Sequence, residues 1–313
     1  MTTVRAAMTQ TVSVYPHMPD DPADLPSLAD HLNDIRDANL HHHANLIEAA
    51  ANAGVQIVGL GELFSAPYFA LERRAIWRAL AEDAFEGPTV RFMADLATRH
   101  GLVIIAPIYE LDHTTGRRFN TAVVIDADGA VLGRYRKLHI PRGSNEQGRF
   151  DELFYYEPGD VPQNEPSPAI LGDNPHFPVI QTAAGRIGVA ICYDRHFEGV
   201  MRELARAGAQ IVFSPAVTFG DKSRRMWELE FEVDAARHNL FIAGSNRLGS
   251  ERPWNQHYFG ASYFVGPNGR PPNLSTNPNL VIADLDLDQL EAADPSGWNL
   301  SRDARPDLYG PTT

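Results

Sequence analysis

Cys192 is the only cysteine of the chain. It stands where an apolar run, residues 187–191, gives way to the polar cluster Tyr193-Asp194-Arg195-His196. Residues 199–207 then carry apolar side chains at helical spacing. A strand, a sharp turn and a helix, with a nucleophile at the turn, expose a reactive atom beside free backbone N–H groups. A thiol attacks only as the thiolate, so Cys192 needs a base. His196 is near in sequence, but at the helix start it points away from where a base is wanted. Taken alone, this stretch also fits an inert thiol buried as a small hydrophobe.

Carboxylates are better placed to serve the sulfur. Glu62 follows the apolar run 55–60, at the carboxyl end of a buried strand, where α/β sheets put their sites. Leu63, Phe64 and Tyr68 half-enclose it, and desolvation raises the proton affinity of such a carboxyl toward that of a working base. A helix-starting glutamate is the alternative. Lys137 also ends a strand, and a lysine can hold the oxyanion of a tetrahedral intermediate. Arg134 and Arg136 beside it equally fit a solvated basic cluster. Glu152 lies among aromatic residues, Phe150, Phe154, Tyr155 and Tyr156, in a long loop. Arg195 suits bidentate carboxylate binding, or a salt bridge to Asp194 or Glu198. His41, His42 and His43 point three ways around a helix, so they cannot face one metal.

The elements that must carry these groups alternate between strand and helix, which argues α/β layering. Residues 4–14, 55–60, 102–107 and 119–126 read as strands. Residues 131–135 return antiparallel across the Asp128-Gly129 turn. Residues 187–192, 210–215 and 241–246 read as further strands. Residues 258–265 and 280–287 read as a closing hairpin across Pro267-Asn268-Gly269. Helical spacing covers 31–53, 71–81, 89–100, 199–207 and 223–239. Residues 16–30 are rich in Pro and Asp and read as a loop. Residues 143–175 form a long irregular loop, a length that is usually functional in a compact domain.

Composition limits the partners. Asp and Glu outnumber Lys and Arg 40 to 27, giving a net charge of -13. Phosphate backbones and anionic bilayers would be repelled, so neither nucleic acid nor membrane is expected as a partner. One cysteine makes no internal disulfide, which fits a reducing compartment. No apolar h-region opens the chain and no apolar run approaches the roughly 20 residues of a spanning helix. The expected location is cytoplasmic.

Taken together, Gly61-Glu62-Leu63-Phe64, Tyr135-Arg136-Lys137-Leu138-His139-Ile140-Pro141 and Ile191-Cys192-Tyr193-Asp194-Arg195-His196-Phe197 resemble the carbon–nitrogen hydrolases of the nitrilase superfamily. They occur in the family's order. The resemblance implies a four-layer αββα sandwich over residues 1–288, with a tail, 289–313, at a subunit interface. Trp298, Leu300, Leu308 and Tyr309 would anchor that tail. It implies a Glu62–Lys137–Cys192 triad: base, oxyanion stabiliser and acylated nucleophile. Glu152 matches a second glutamate that positions Lys137 and substrate. The Tyr193 N–H would complete the oxyanion hole, and Arg195 would hold a substrate carboxylate. No metal or organic cofactor is implied, and the partners are a small-molecule substrate and further copies of the chain.

Within the family the segments look most like β-ureidopropionases and other N-carbamoyl amino acid amidohydrolases. Residues 143–147 look lengthened, and residues 251–257 depart from the pattern. The rival readings are an aliphatic amidase, an N-carbamoylputrescine amidase, or a non-catalytic scaffold on the same fold.

Overall fold

A computed structural model describes residues 2–161, 167–294 and 296–308. The first of two six-stranded sheets runs, in spatial order, Leu280–Asp286, Thr3–Thr9, Ile57–Gly59, Val103–Leu111, Arg118–Ile125 and Val131–Arg136. The second runs Tyr263–Val265, Phe241–Asn246, Ile211–Ala216, Gly185–Val189, Val179–Thr182 and Ile170–Leu171. Three central strands of each sheet are parallel, and the outer ones are antiparallel.

The strands read as nearly unbroken apolar runs because both of their faces are buried. Along Thr3–Thr9, Ala6 and Met8 face the second sheet, while Ala7 packs under helices. Helices α1 (Leu32–Asn52) and α2 (Pro88–His100) cover the outer face of the first sheet through Leu40, Ile47, Val90 and Met93. Helix α3 (Glu198–Arg206) and helix α4 (Asp221–His238) cover the second through Val200, Leu204, Trp227 and Phe231. The result is the four-layer αββα sandwich. The sheets approach closely enough that a Cβ on Gly59 would stand 2.3 Å from the Phe213 ring. Only glycine fits there.

Parallel strands place their carboxyl ends on one edge, so the loops after Ile57–Gly59 and Gly185–Val189 carry Glu62 and Cys192. The hairpin expected across Asp128-Gly129 pairs Arg118–Ile125 with Val131–Arg136. It sets Lys137 beside Asn120, whose carbonyl accepts from the Lys137 N–H at 2.8 Å.

Several expectations are corrected. Residues 258–265 and 280–287 do not form a hairpin. Tyr263–Val265 edges the second sheet and Leu280–Asp286 edges the first, while Gln256–Phe259 pairs with Leu248–Glu251. Alternation shows that a segment is a strand, but which open edge it covers is settled by packing. Residues 71–81 are not one helix but contain the 3-10 turn Ala75–Leu80, and residues 16–30 contain another, Pro22–Asp30. Among the described residues, no helix is long and apolar enough to cross a membrane. Of the tail's expected anchors, Trp298 is 70% exposed, Leu300 and Leu308 are also exposed, and Tyr309 lies outside the described residues.

Candidate active site

Glu62 leaves the first sheet on a strained turn, with Leu63 at a φ of 51°. A leucine with positive φ persists only where its surroundings hold it. Here Arg247 does so: its Nη2 donates to the carbonyls of Glu62, Leu63 and Ala66 at 3.2, 3.1 and 2.9 Å. Arg247 is itself paired with buried Glu251, which also accepts from the Tyr68 N–H at 2.9 Å. The Glu62 side chain is fully buried, and both of its oxygens are engaged. Oε1 accepts from Asn120 Nδ2 at 2.7 Å and Lys137 Nζ at 3.0 Å, and Oε2 from the Val217 N–H at 2.6 Å.

Lys137 Nζ donates equally to Glu152 Oε2, at 2.7 Å. Glu152 sits in a short 3-10 turn, Glu152–Phe154, within the expected long loop, and its Oε1 accepts from Tyr68 Oη at 2.6 Å. Lys137 and Glu152 are 0% and 1% exposed. Burial pulls the Lys137 ammonium toward deprotonation, but Glu152 and Glu62 outweigh it and hold its pKa above the usual lysine value. Burial raises the Glu152 carboxyl, and Lys137 opposes that rise.

Cys192 begins a 3-10 turn, Cys192–His196, directly after the second sheet, with its own φ at 52°. Its Sγ faces the Val217 carbonyl at 3.6 Å. Val217 therefore spans the acid and the sulfur, donating to Glu62 and accepting from Cys192. Burial, and then the charge of Glu62, push the thiol up to about 12, against the pull of Lys137 and Arg195. The Tyr193 N–H, one residue on, has no acceptor among the described residues.

Asp194 ties the two halves together. Its Oδ1 accepts from the backbone N–H and Nδ1 of His139 at 2.9 and 2.8 Å. Its Oδ2 accepts from Tyr135 Oη at 2.7 Å and the Ile191 N–H at 3.1 Å. Tyr135 and His139 flank Lys137, so one buried carboxylate registers the lysine strand against the cysteine turn.

Arg195 is buried behind the sulfur. Its Nη1 donates to the Cys192 carbonyl at 2.6 Å, its Nη2 to Thr218 Oγ1 at 3.3 Å, and its Nε stands 3.4 Å from Glu230. Its ionic partner is Glu230 of α4, rather than the sequence neighbours Asp194 and Glu198. His196 Nδ1 is 2.6 Å from the same Glu230. His43 is buried with Nδ1 on the Asn39 carbonyl, and His42 Nε2 meets Thr11 Oγ1. Among the described residues, no group of His, Cys, Asp and Glu could hold a metal ion. Reading the sequence missed Val217, Asn120 and the Asp194 clasp, and placed Tyr68 beside Glu62 as an enclosing ring but not as a donor to Glu152. Asn120 alone left a signal, a polar residue opening the apolar strand 119–126.

The carbon-nitrogen hydrolase family model matches residues 33–294, and the chain belongs to that family. It is a hydrolase of carbon–nitrogen bonds other than peptide bonds. It is 33% identical to a beta-ureidopropionase of Arabidopsis thaliana over 84% of this chain, but spans 64% of that protein. It is 32% identical to an N-carbamoylputrescine amidase of Solanum tuberosum, over 84% of this chain and 86% of that one. The carbon-nitrogen hydrolase of Helicobacter pylori G27 superposes with a TM-score of 0.77, at 26% identity, over 98% of this chain and 97% of that one.

Proposed function

We propose that the chain hydrolyses N-carbamoyl amino acids, such as N-carbamoyl-β-alanine, to ammonia, carbon dioxide and the free amine. The observation that carries this reading is the buried cluster of Glu62, Lys137 and Glu152, joined to Cys192 through Val217. Glu62 takes the Sγ proton as sulfur attacks the carbamoyl carbon. Lys137 and the Tyr193 N–H hold the oxyanion. Ammonia leaves with the proton from Glu62, and an S-carbamoyl thioester remains. Water, giving its proton to Glu62, cleaves that thioester, and the released carbamate loses carbon dioxide. Two moderate barriers replace one high one. Glu152 positions Lys137. Arg195 contributes positive charge toward a substrate carboxylate, shared with Glu230. The exposed tail residues Trp298 and Leu300, with Leu229 and Val233 of α4, fit burial against a second copy of the chain.

A cationic N-carbamoyl amine is the second reading, since several relatives bear that activity in their names. Ammonia release from N-carbamoyl-β-alanine, N-carbamoylputrescine and propionamide separates the readings. The expected kcat/KM is highest for N-carbamoyl-β-alanine. Preference for N-carbamoylputrescine or for the simple amide would overturn the proposal.

A further inference from the structure

Between the segment that follows Lys137 and the segment that delivers Glu152 lies a half-open groove of about 420 Å³, with exposed arginines at its rim. That is the size of a small-ligand site. Arg73, Arg142 and Arg149 line it, with Asp151, Phe150 and Phe154, whereas Glu62, Lys137 and Cys192 do not. Arg73 Nε donates to Asp151 at 2.9 Å, and Arg149 Nη2 stands 3.6 Å from the same carboxylate. Arg142 has no ionic partner among the described residues. One carboxylate therefore answers three guanidinium groups, in a chain whose net charge is -13.

A local cationic excess in an anionic protein focuses its field on small anions. Guanidinium forks match carboxylates in shape as well as charge. The placement also matters. Arg142 follows the strand end that carries Lys137, and Asp151 precedes Glu152 in sequence. An anion held here would brace both segments.

We propose that this pocket binds the carboxylate of a small anionic ligand, and that the ligand is the N-carbamoyl amino acid, gripped by its acid end on entry, before that end passes on toward Arg195 and the carbamoyl group reaches Cys192. The identity of the ligand rests on the function proposed above, whereas the pocket's taste for carboxylates does not. A free carboxylate would satisfy the same groups.

Calorimetric titration of N-carbamoyl-β-alanine and of succinate into Cys192→Ala protein should show saturable binding that weakens with added salt. Arg142→Gln should weaken binding of both by about tenfold or more, and Arg142→Lys should recover part of it. In the active enzyme, Arg142→Gln should lower the ratio of kcat/KM for N-carbamoyl-β-alanine over uncharged N-propylurea by about tenfold, through KM. Binding indifferent to Arg142→Gln would overturn the pocket. Weakened succinate binding with an unchanged substrate ratio would keep the pocket and overturn the substrate as its ligand. If the wild type hydrolysed neither compound, the proposed function would fall, while the titrations would still decide the pocket.

Discussion

The two sheets hold the two halves of the candidate site in opposite ways. On the first sheet's side, every carboxylate oxygen of Glu62 and Glu152 has a donor, and Lys137 lies between them out of reach of water. On the second, the sulfur of Cys192 has, among the described residues, only two long contacts, 3.6 Å to the Val217 carbonyl and 4.0 Å to Arg195 Nη1, on a backbone in a sparsely populated conformation. The difference teaches which part of the chemistry must be fixed beforehand. Stabilising a developing oxyanion requires charges already in place, because reorganising them during reaction costs activation energy. A nucleophile must instead move as its new bond forms, so tight hydrogen bonding would work against it.

The sharpest way to break this comparison is to remove one group from each half. Cys192→Ala should cut turnover about ten-thousand-fold or more while changing stability by only about 1 kcal/mol. Lys137→Met should also abolish turnover, but at a cost of about 3–5 kcal/mol in stability, because Glu62 and Glu152 would then face each other without their cation. Urea unfolding of both variants decides it. Equal midpoints would show that the charged cluster is no more committed to the fold than the sulfur.

A smaller effect is expected where the halves are joined. In Asp194→Asn the amide replaces an acceptor oxygen with a donor, so the backbone N–H of either His139 or Ile191 must lose its acceptor, while Tyr135 Oη or His139 Nδ1 can turn to accept. The expected loss is about 1–3 kcal/mol of stability. Turnover should drop by about ten- to a hundredfold as the lysine strand slips against the cysteine turn. Lost stability with intact turnover would mean that the clasp holds the fold but not the register of the site.

What the sequence shows of this site follows the range over which each signal acts. Cys192, Glu62 and Lys137 end apolar runs, and a strand end is a local pattern. Their meeting is long-range, with a sequence separation of 155 between Glu62 and the Val217 N–H from which it accepts. No composition or period reports such a pairing, so Val217 carried no mark. Arg195 illustrates the same limit. Its ionic partner is Glu230, brought over by α4, and not the acids beside it in sequence. Strand periodicity located residues 258–265 and 280–287 but could not assign them to different sheets. The turn Pro267-Asn268-Gly269 closes only the single bridge between Gly266 and Gly269 before the chain crosses over.

The smallest expected effect concerns the helices that cover the two sheets, which differ in how they respond to acid. On α1, His43 is buried against Phe64, two residues past Glu62, and burial holds its pKa down to about 3, from 6.5. The unfolded chain binds that proton first, so stability should be lost as pH falls from about 6.5 toward 3. On α4, burial raises the carboxyl of Asp234 to about 6, from 3.8. There the native state binds the proton first, so this group favours folding below about 3.8 and loses that advantage as pH rises through 6. Arg237, 3.9 Å from Asp234, tempers but does not reverse the shift, and the charges of Glu230 and Glu198 add to it. His43→Leu should therefore flatten the acid side of the stability profile by up to one proton, about 1.4 kcal/mol per pH unit. Asp234→Asn should steepen the same limb between pH 6 and 4. Urea midpoints collected across that range test both, and slopes that changed in the same direction would show that the two coverings do not differ in this way.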